Sequence, residues 1–206
     1  DLLHLSYGKS SLFKVMKEEI NGQWQGGAVR FPLRFDSGIM RGRFNNRDGQ
    51  LYVVGLRVWQ SNGARFGAFH RVRYTGKPVH MPTDIKVQKN GLAVTFTNPL
   101  DAVSAVDDQN WAIDQWNYQW TKNYGSKMYS SKAPSQVVGD KKQGEFGGDA
   151  VAIKGIKLSE DKKTVIIEVD GLKPVMQSRI RFNIKAADRA VLKQEIFHTI
   201  NRVPVK

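Results

Sequence analysis

Short runs in which apolar and polar residues alternate, each broken by a turn after a handful of positions, set the rhythm of this chain. Within residues 1–80 the runs LLHLSYG, SLFKVM, GAVRFPL, IMRGRF, QLYVVGLRVW and AFHRVRY follow one another, punctuated by glycine-bearing turns. Alternation over such lengths predicts closely spaced β-strands, and no apolar pattern at helical spacing runs long enough to compete. The clearest hairpin is GRFNNRDGQLYVVG, where Asp48-Gly49 supplies the positive-φ positions of a tight turn between two strand-forming runs.

YTGKPVHMPTDI, with two prolines and a glycine, interrupts this rhythm and marks a boundary near residue 81. Its shortness and stiffness predict a packed junction, not a free linker. Beyond it, IKVQKNGLAVTFTNPLD reads as strand, Asn90-Gly91 turn, strand and a Pro99 bend, leading into AVSAVDDQNWAI. AIKGIKLSEDKKTVIIEVDGL repeats that logic around SEDKK, and SRIRFNIKAAD and QEIFHTINRV follow. Strands at roughly 8–12-residue spacing joined by turns are the pattern of a β-sandwich. Between the two groups, residues 130–150 (SSKAPSQVVGDKKQGEFGGDA) hold no period and read as a long mobile loop.

The fold class predicted is therefore all-β. Residues 1–81 form a basic antiparallel β region, and residues 82–206 form a sandwich with an insertion at about 116–150.

Charge narrows the range of partners. The formal net charge is +13, and residues 1–80 hold 13 Lys and Arg against 5 Asp and Glu, so the first part is the more basic. Such a field attracts polyanions: nucleic acid, acidic lipid headgroups, or sulfated and uronic-acid polysaccharide. Arg41 and Arg43 share one strand face, as do Arg71 and Arg73, through the period of two. Paired guanidinium groups suit bidentate contact with sulfate or carboxylate, although a solvated sheet face or an inter-domain interface is as good a reading.

Aromatic residues concentrate in NWAIDQWNYQWTKNYGSKMY, residues 110–129. In a strand Trp116, Tyr118 and Trp120 share a face, whereas Trp111 and Ile113 have the opposite parity, so the apolar face switches near Asp114-Gln115. A bulge or bend is expected there. Trp111 and Ile113 are core candidates. Trp116, Tyr118 and Trp120 suit either core or a stacking platform, and Lys122, Tyr124, Lys127 and Tyr129 are expected as exposed contacts.

No catalytic constellation is legible. His4, His70, His80 and His198 lack ligand spacing, no cysteine is present, and the glycine pairs at 26–27 and 147–148 belong to no phosphate-loop motif and read as turns. Asp107-Asp108 and Glu160-Asp161 sit in turn sequences, where Asp caps and bends the chain. No nucleic-acid motif accompanies the basic charge, and no apolar run reaches the roughly 18 residues of a membrane span. No cofactor or metal is expected, and a binding module fits better than an enzyme.

VTFTNPLDAVSAVDDQNWAI, followed by IKLSEDKKTVIIEVDGLKPVMQSRIRFNIKAADRAVLK, resembles bacterial immunoglobulin-like sandwich modules. GGAVRFPLRFDSGIMRGRFNNRDGQLYVVGLRVWQ, running on to FHRVRYTGKPVHMP, resembles the closing blades of sorbosone/glucose dehydrogenase-like β-propellers. The resemblance implies an extracytoplasmic, carbohydrate-linked setting within a large multidomain protein. Residues 1–80 make at most about two four-stranded blades where a propeller needs typically 4–8, so dehydrogenase activity is not carried over. The expectation is a non-catalytic module binding anionic polysaccharide beside other domains of its parent. The alternative is a structural spacer or docking domain of a cytochrome-linked sugar dehydrogenase-like protein.

Overall fold

The computed structural model describes residues 2–122, 125–140 and 147–205, and the chain is all-β with antiparallel sheets. In chain order the first strands are β1 (Leu2–Ser6), β2 (Ser11–Ile20), β3 (Gln23–Arg30), β4 (Gly38–Phe44), β5 (Leu51–Leu56) and β6 (Gly67–Val72). Next come β7 (Pro82–Gln88), β8 (Gly91–Phe96), a short helix α1 (Ala102–Val106) and β9 (Trp111–Asn117). The last seven strands are β10 (Met128–Ser130), β11 (Val137–Gly139), β12 (Asp149–Ala150), β13 (Ile153–Leu158), β14 (Thr164–Val169), β15 (Val175–Lys185) and β16 (Val191–Ile200).

These strands build three sheets. The largest has the order β1-β2-β3-β16-β15-β9-β10-β11, with β12 also on β9; the others are β13-β14-β8-β7 and β4-β5-β6. Residue 81 does not divide the large sheet. β3 pairs with β16, Val29 opposite Ile196 and Gly27 opposite His198, so strands from both sides of the expected boundary share one ladder. The Gly26-Gly27 pair, expected as a turn, lies within β3. A Cβ at 26 would stand 2.0 Å from the Met16 carbonyl oxygen and one at 27 would stand 2.7 Å from that of Phe197, so close strand approach explains the pair.

One face of the large sheet carries both smaller sheets side by side. The four-stranded sheet closes a β-sandwich over it, with Ile85, Leu92, Val94, Val165 and Ile167 facing Val29, Ile113, Ile180 and Ile196. Each fully buried aliphatic side chain there contributes roughly 1.5–3 kcal/mol. The three-stranded sheet packs beside it, with Ile39, Leu51, Val53 and Phe35 against Leu12, and Leu3 and Leu5 at the margin. Leu12 and Met16 lie on the same side of β2, and one serves the small core, the other the large.

One row of the sandwich interior is polar. Gln115, Ser178 and His198 are cross-strand neighbours on β9, β15 and β16, and all three are buried. Both ring nitrogens of His198, the Ser178 hydroxyl and the Gln115 amide nitrogen have no hydrogen-bond partner among the described residues. Burial pushes the His198 imidazole down to about 4, so it is neutral at pH 7.

The parity switch in β9 needs no bulge. Its pairing with β15 runs in unbroken register from Trp111 opposite Phe182 to Trp116 opposite Gln177. Trp111, Ile113 and Gln115 face the sandwich, while Trp116 points to the other side of the sheet and is buried there as well. The backbone of Gly148 covers it so closely that a Cβ would lie 2.9 Å from the indole Cε3. Both faces of this strand are occupied, which is why both parities are apolar.

Candidate functional site

Of the two readings open for 116–120, core or platform, Trp116 takes the core, and the described aromatic rings of 116–129 do not share one open face. Trp116 is only 1% exposed and has no face to offer a ligand. β9 ends at Asn117, so Tyr118 and Trp120 do not continue its alternation. Tyr118 stands edge-on to Trp116 with ring centroids 6.4 Å apart, and Trp120 is 98% exposed. Lys122 is exposed, and Tyr124 lies outside the described residues. Lys127 pairs with Asp140 at 3.7 Å, and Tyr129 is half-buried in β10 opposite Asn117.

The segment expected as a mobile loop joins the sheet at three places, Ser130, Val137–Gly139 and Asp149–Ala150. Asp149 accepts hydrogen bonds from the Ser130 and Ser131 hydroxyls and from the Ser131 and Lys132 N–H groups. Burial raises its pKa, but these donors outweigh that and hold the carboxyl below its ordinary value. A single carboxylate thereby ties the start of β12 to the end of β10.

The arginines behave differently. The β4–β5 hairpin closes with Asn45 N–H donating to the Gln50 carbonyl at 2.9 Å, and Gly49 alone in this turn takes a positive φ, +67°. The turn thus spans residues 46–49, longer than the two-residue turn that Asp48-Gly49 suggests. Its register sets Arg43 beside Tyr52 and Arg41 beside Val54, and β6 continues the rows with Arg71 beside Tyr52 and Phe69 beside Val54. Leu51 and Val53 face the small core, so the opposite parity, Tyr52 and Val54 with Arg41, Arg43, Phe69 and Arg71, faces outward. Arg73 follows just past the end of β6 and is exposed.

Tyr52 and Phe69 stack at the centre of this face, with ring centroids 5.6 Å apart and planes 27° from parallel. Phe69 is 67% exposed. Arg43, Asn45, Tyr52 and Phe69 line a shallow open groove. At the rim, the Tyr52 hydroxyl donates to Asp48 at 2.8 Å. The Gln50 N–H, this hydroxyl and the charge of Arg71 hold the Asp48 carboxyl below its ordinary value. Arg41, Arg43, Arg71 and Arg73 have no carboxylate within ion-pair distance among the described residues. Arg41 and Arg43 each donate once to a main-chain carbonyl, that of Met40 at 3.0 Å and that of Gly42 at 2.8 Å, and their other N–H groups remain open to an anion from outside.

Tyr52 and Phe69 were hidden in QLYVVGLRVW and GAFHRVRY, where they pass for core residues. The hairpin register was the signal, since it sets Tyr52 opposite Arg43. No three His, Asp or Glu side chains gather as metal ligands among the described residues, and none of their helices is long and apolar enough to cross a membrane. Comparison with protein-family models, curated proteins and solved structures finds no match to this chain.

Proposed function

We propose that this chain is a non-catalytic module that binds acidic or sulfated polysaccharide on the outer face of β4–β6, within a larger extracytoplasmic sugar-processing protein. One observation carries the reading: an outward Tyr52–Phe69 stack with Arg43 and Arg71 in register on either side of Tyr52, and Arg41 across Val54 from Phe69. The apolar face of a sugar ring packs on the aromatic pair, and guanidinium groups on either side take the carboxylate or sulfate groups bidentately. The net charge of +13 draws such a chain in. The setting rests on the sequence resemblance described above, with the sandwich as an immunoglobulin-like module and β4–β6 as a blade-like element.

Affinity electrophoresis through gels containing polyuronate, sulfated or neutral glucan tests this. Retention should be strong in the first two, weak in the third, and should fall steeply with salt, because exposed charges are screened over about 8–10 Å near physiological ionic strength. Equal retention in all three gels, unchanged in high salt, would sink it.

A second reading is favoured by Val58, Trp59 and Phe66, which are 64–78% exposed at the β5–β6 loop. A docking domain of a sugar dehydrogenase-like parent would cover such residues with another domain. That reading calls for tight association with the neighbouring domain and no retention in any gel.

A further inference from the structure

The two edges of the three-stranded sheet are finished in different ways. Antiparallel neighbours alternate between pairs that exchange backbone hydrogen bonds and pairs that exchange none. The bond from Arg57 N–H to the Phe66 carbonyl, 2.8 Å, sets the phase for β5 and β6. By that count Ala68, His70 and Val72 bond to β5, and the N–H and C=O groups of Gly67, Phe69 and Arg71 point away from it. Among the described residues, β5 is the only strand hydrogen-bonded to β6.

On the other edge, the Asn45–Gln50 bond turns the backbone groups of Gly42 and Phe44 outward. There the ladder register shifts between Ile39 and Arg41. The Arg43 guanidinium donates to the Gly42 carbonyl at 2.8 Å, and that of Arg41 to the Met40 carbonyl at 3.0 Å. A bulge and charged side chains folded over edge carbonyls are means by which proteins block strand addition. β6 carries neither: its register with β5 is unbroken and its sequence, GAFHRV, has no proline and no lysine.

We propose that β6 is a strand-addition site that takes one extended, acidic segment of a partner protein. Gly67, Phe69 and Arg71 offer it a row of outward N–H and C=O groups that no polysaccharide can match. On the outer face the added strand would set an apolar side chain beside Phe69 and a carboxylate beside Arg71, with Arg73 next along the chain. A second copy of this chain fits poorly. Two β6 strands paired antiparallel about Phe69 would set Arg65 opposite Arg73, between molecules that each carry +13. The site is the edge of the sheet and does not rest on the polysaccharide reading of its face.

The test is a titration of isotope-labelled protein with the acetylated seven-residue peptide Thr-Glu-Thr-Val-Thr-Glu-Thr, whose valine and glutamates share one strand face, followed by amide NMR. The Gly67, Phe69 and Arg71 amides should shift and exchange more slowly, by about tenfold or more. N-methylation of the peptide at its pairing amides should weaken binding about tenfold or more, and the counterpart with lysine in place of glutamate should not bind. Equal binding of the N-methylated peptide would reduce the contact to charge and overturn the proposal. Absence of any shift at these three amides up to millimolar peptide would overturn it too, whatever the polysaccharide gels show. Protection of the same amides by protein concentration alone, with a dimer in sedimentation, would give the edge to a second copy and overturn the acidic partner.

Discussion

In the sandwich, Trp111 leans on Phe182 at 5.2 Å with Phe96 edge-on to Phe182 at 5.5 Å, and all three rings are buried. In the three-stranded sheet, Tyr52 and Phe69 stack at a similar 5.6 Å and face outward. Ring contact therefore does not distinguish a core from a surface here. What differs is the company along each strand. Trp111 has Ile113 two positions on and a second sheet above it, whereas Tyr52 has Arg43 and Arg71 in register on either side and Phe69 has Arg71 two positions on. Burying those guanidinium groups without carboxylate partners would cost several kcal/mol each, so that face stays open.

The comparison is broken most forcefully by truncating its buried rings. Trp111→Ala and Trp116→Ala should each lower stability by about 3–5 kcal/mol in urea titrations. Trp111 also loses the indole hydrogen bond to the Ala105 carbonyl, 3.0 Å. A loss under 1 kcal/mol at Trp116 would mean that its cover around Gly148 is loose.

The sandwich should next betray itself through pH. His198 has a folded-state pKa of about 4, below its ordinary 6.5, so the unfolded chain binds the extra proton first. Its contribution is fully present above pH 6.5 and is lost as pH falls toward 4, by up to roughly 3 kcal/mol. Comparing urea midpoints at pH 7 and pH 4.5 for the parent and His198→Gln isolates this, since the variant should show the smaller drop. Identical drops would place the acid sensitivity elsewhere.

A smaller effect tests the cover over Trp116. Asp149→Ala releases four donors and should cost about 1–3 kcal/mol, read as faster exchange at the Ser131 and Lys132 amides. The smallest effects belong to the open face. Arg43→Ala, Arg71→Ala and, at the far end of the molecule, Trp120→Ala should each move stability by no more than about 0.5 kcal/mol. Only the two arginine variants should lose retention on sulfated gels, and a loss at Trp120→Ala alone would move the site.

Most strands were legible from alternation and turn residues, because period-two burial is a local property. The SEDKK turn and the hairpin at residues 45–50 fall where the sequence sets them. The assembly of the large sheet was not legible. Pairing of Val29 with Ile196 is decided by shape and burial between distant segments, and no local signal announces it. The 116–120 stretch misled for a related reason: alternation assumes one covered face, and β9 has two. The outward Arg rows were readable in advance, but the Tyr52–Phe69 stack between them needed strand register as well as strand identity.

The β3–β16 seam also bears on how the molecule is made. During synthesis β1, β2 and β3 can form their meander early, but the free side of β3 has no partner until β16 has been synthesised. Until then an apolar strand edge waits beside a half-built core, the kind of intermediate that chaperones bind and that aggregates when they do not. Closing so long a loop before its contacts reward it also slows folding. A chain halted before residue 191 would therefore keep its hairpins and lack the strand that joins them into one sheet.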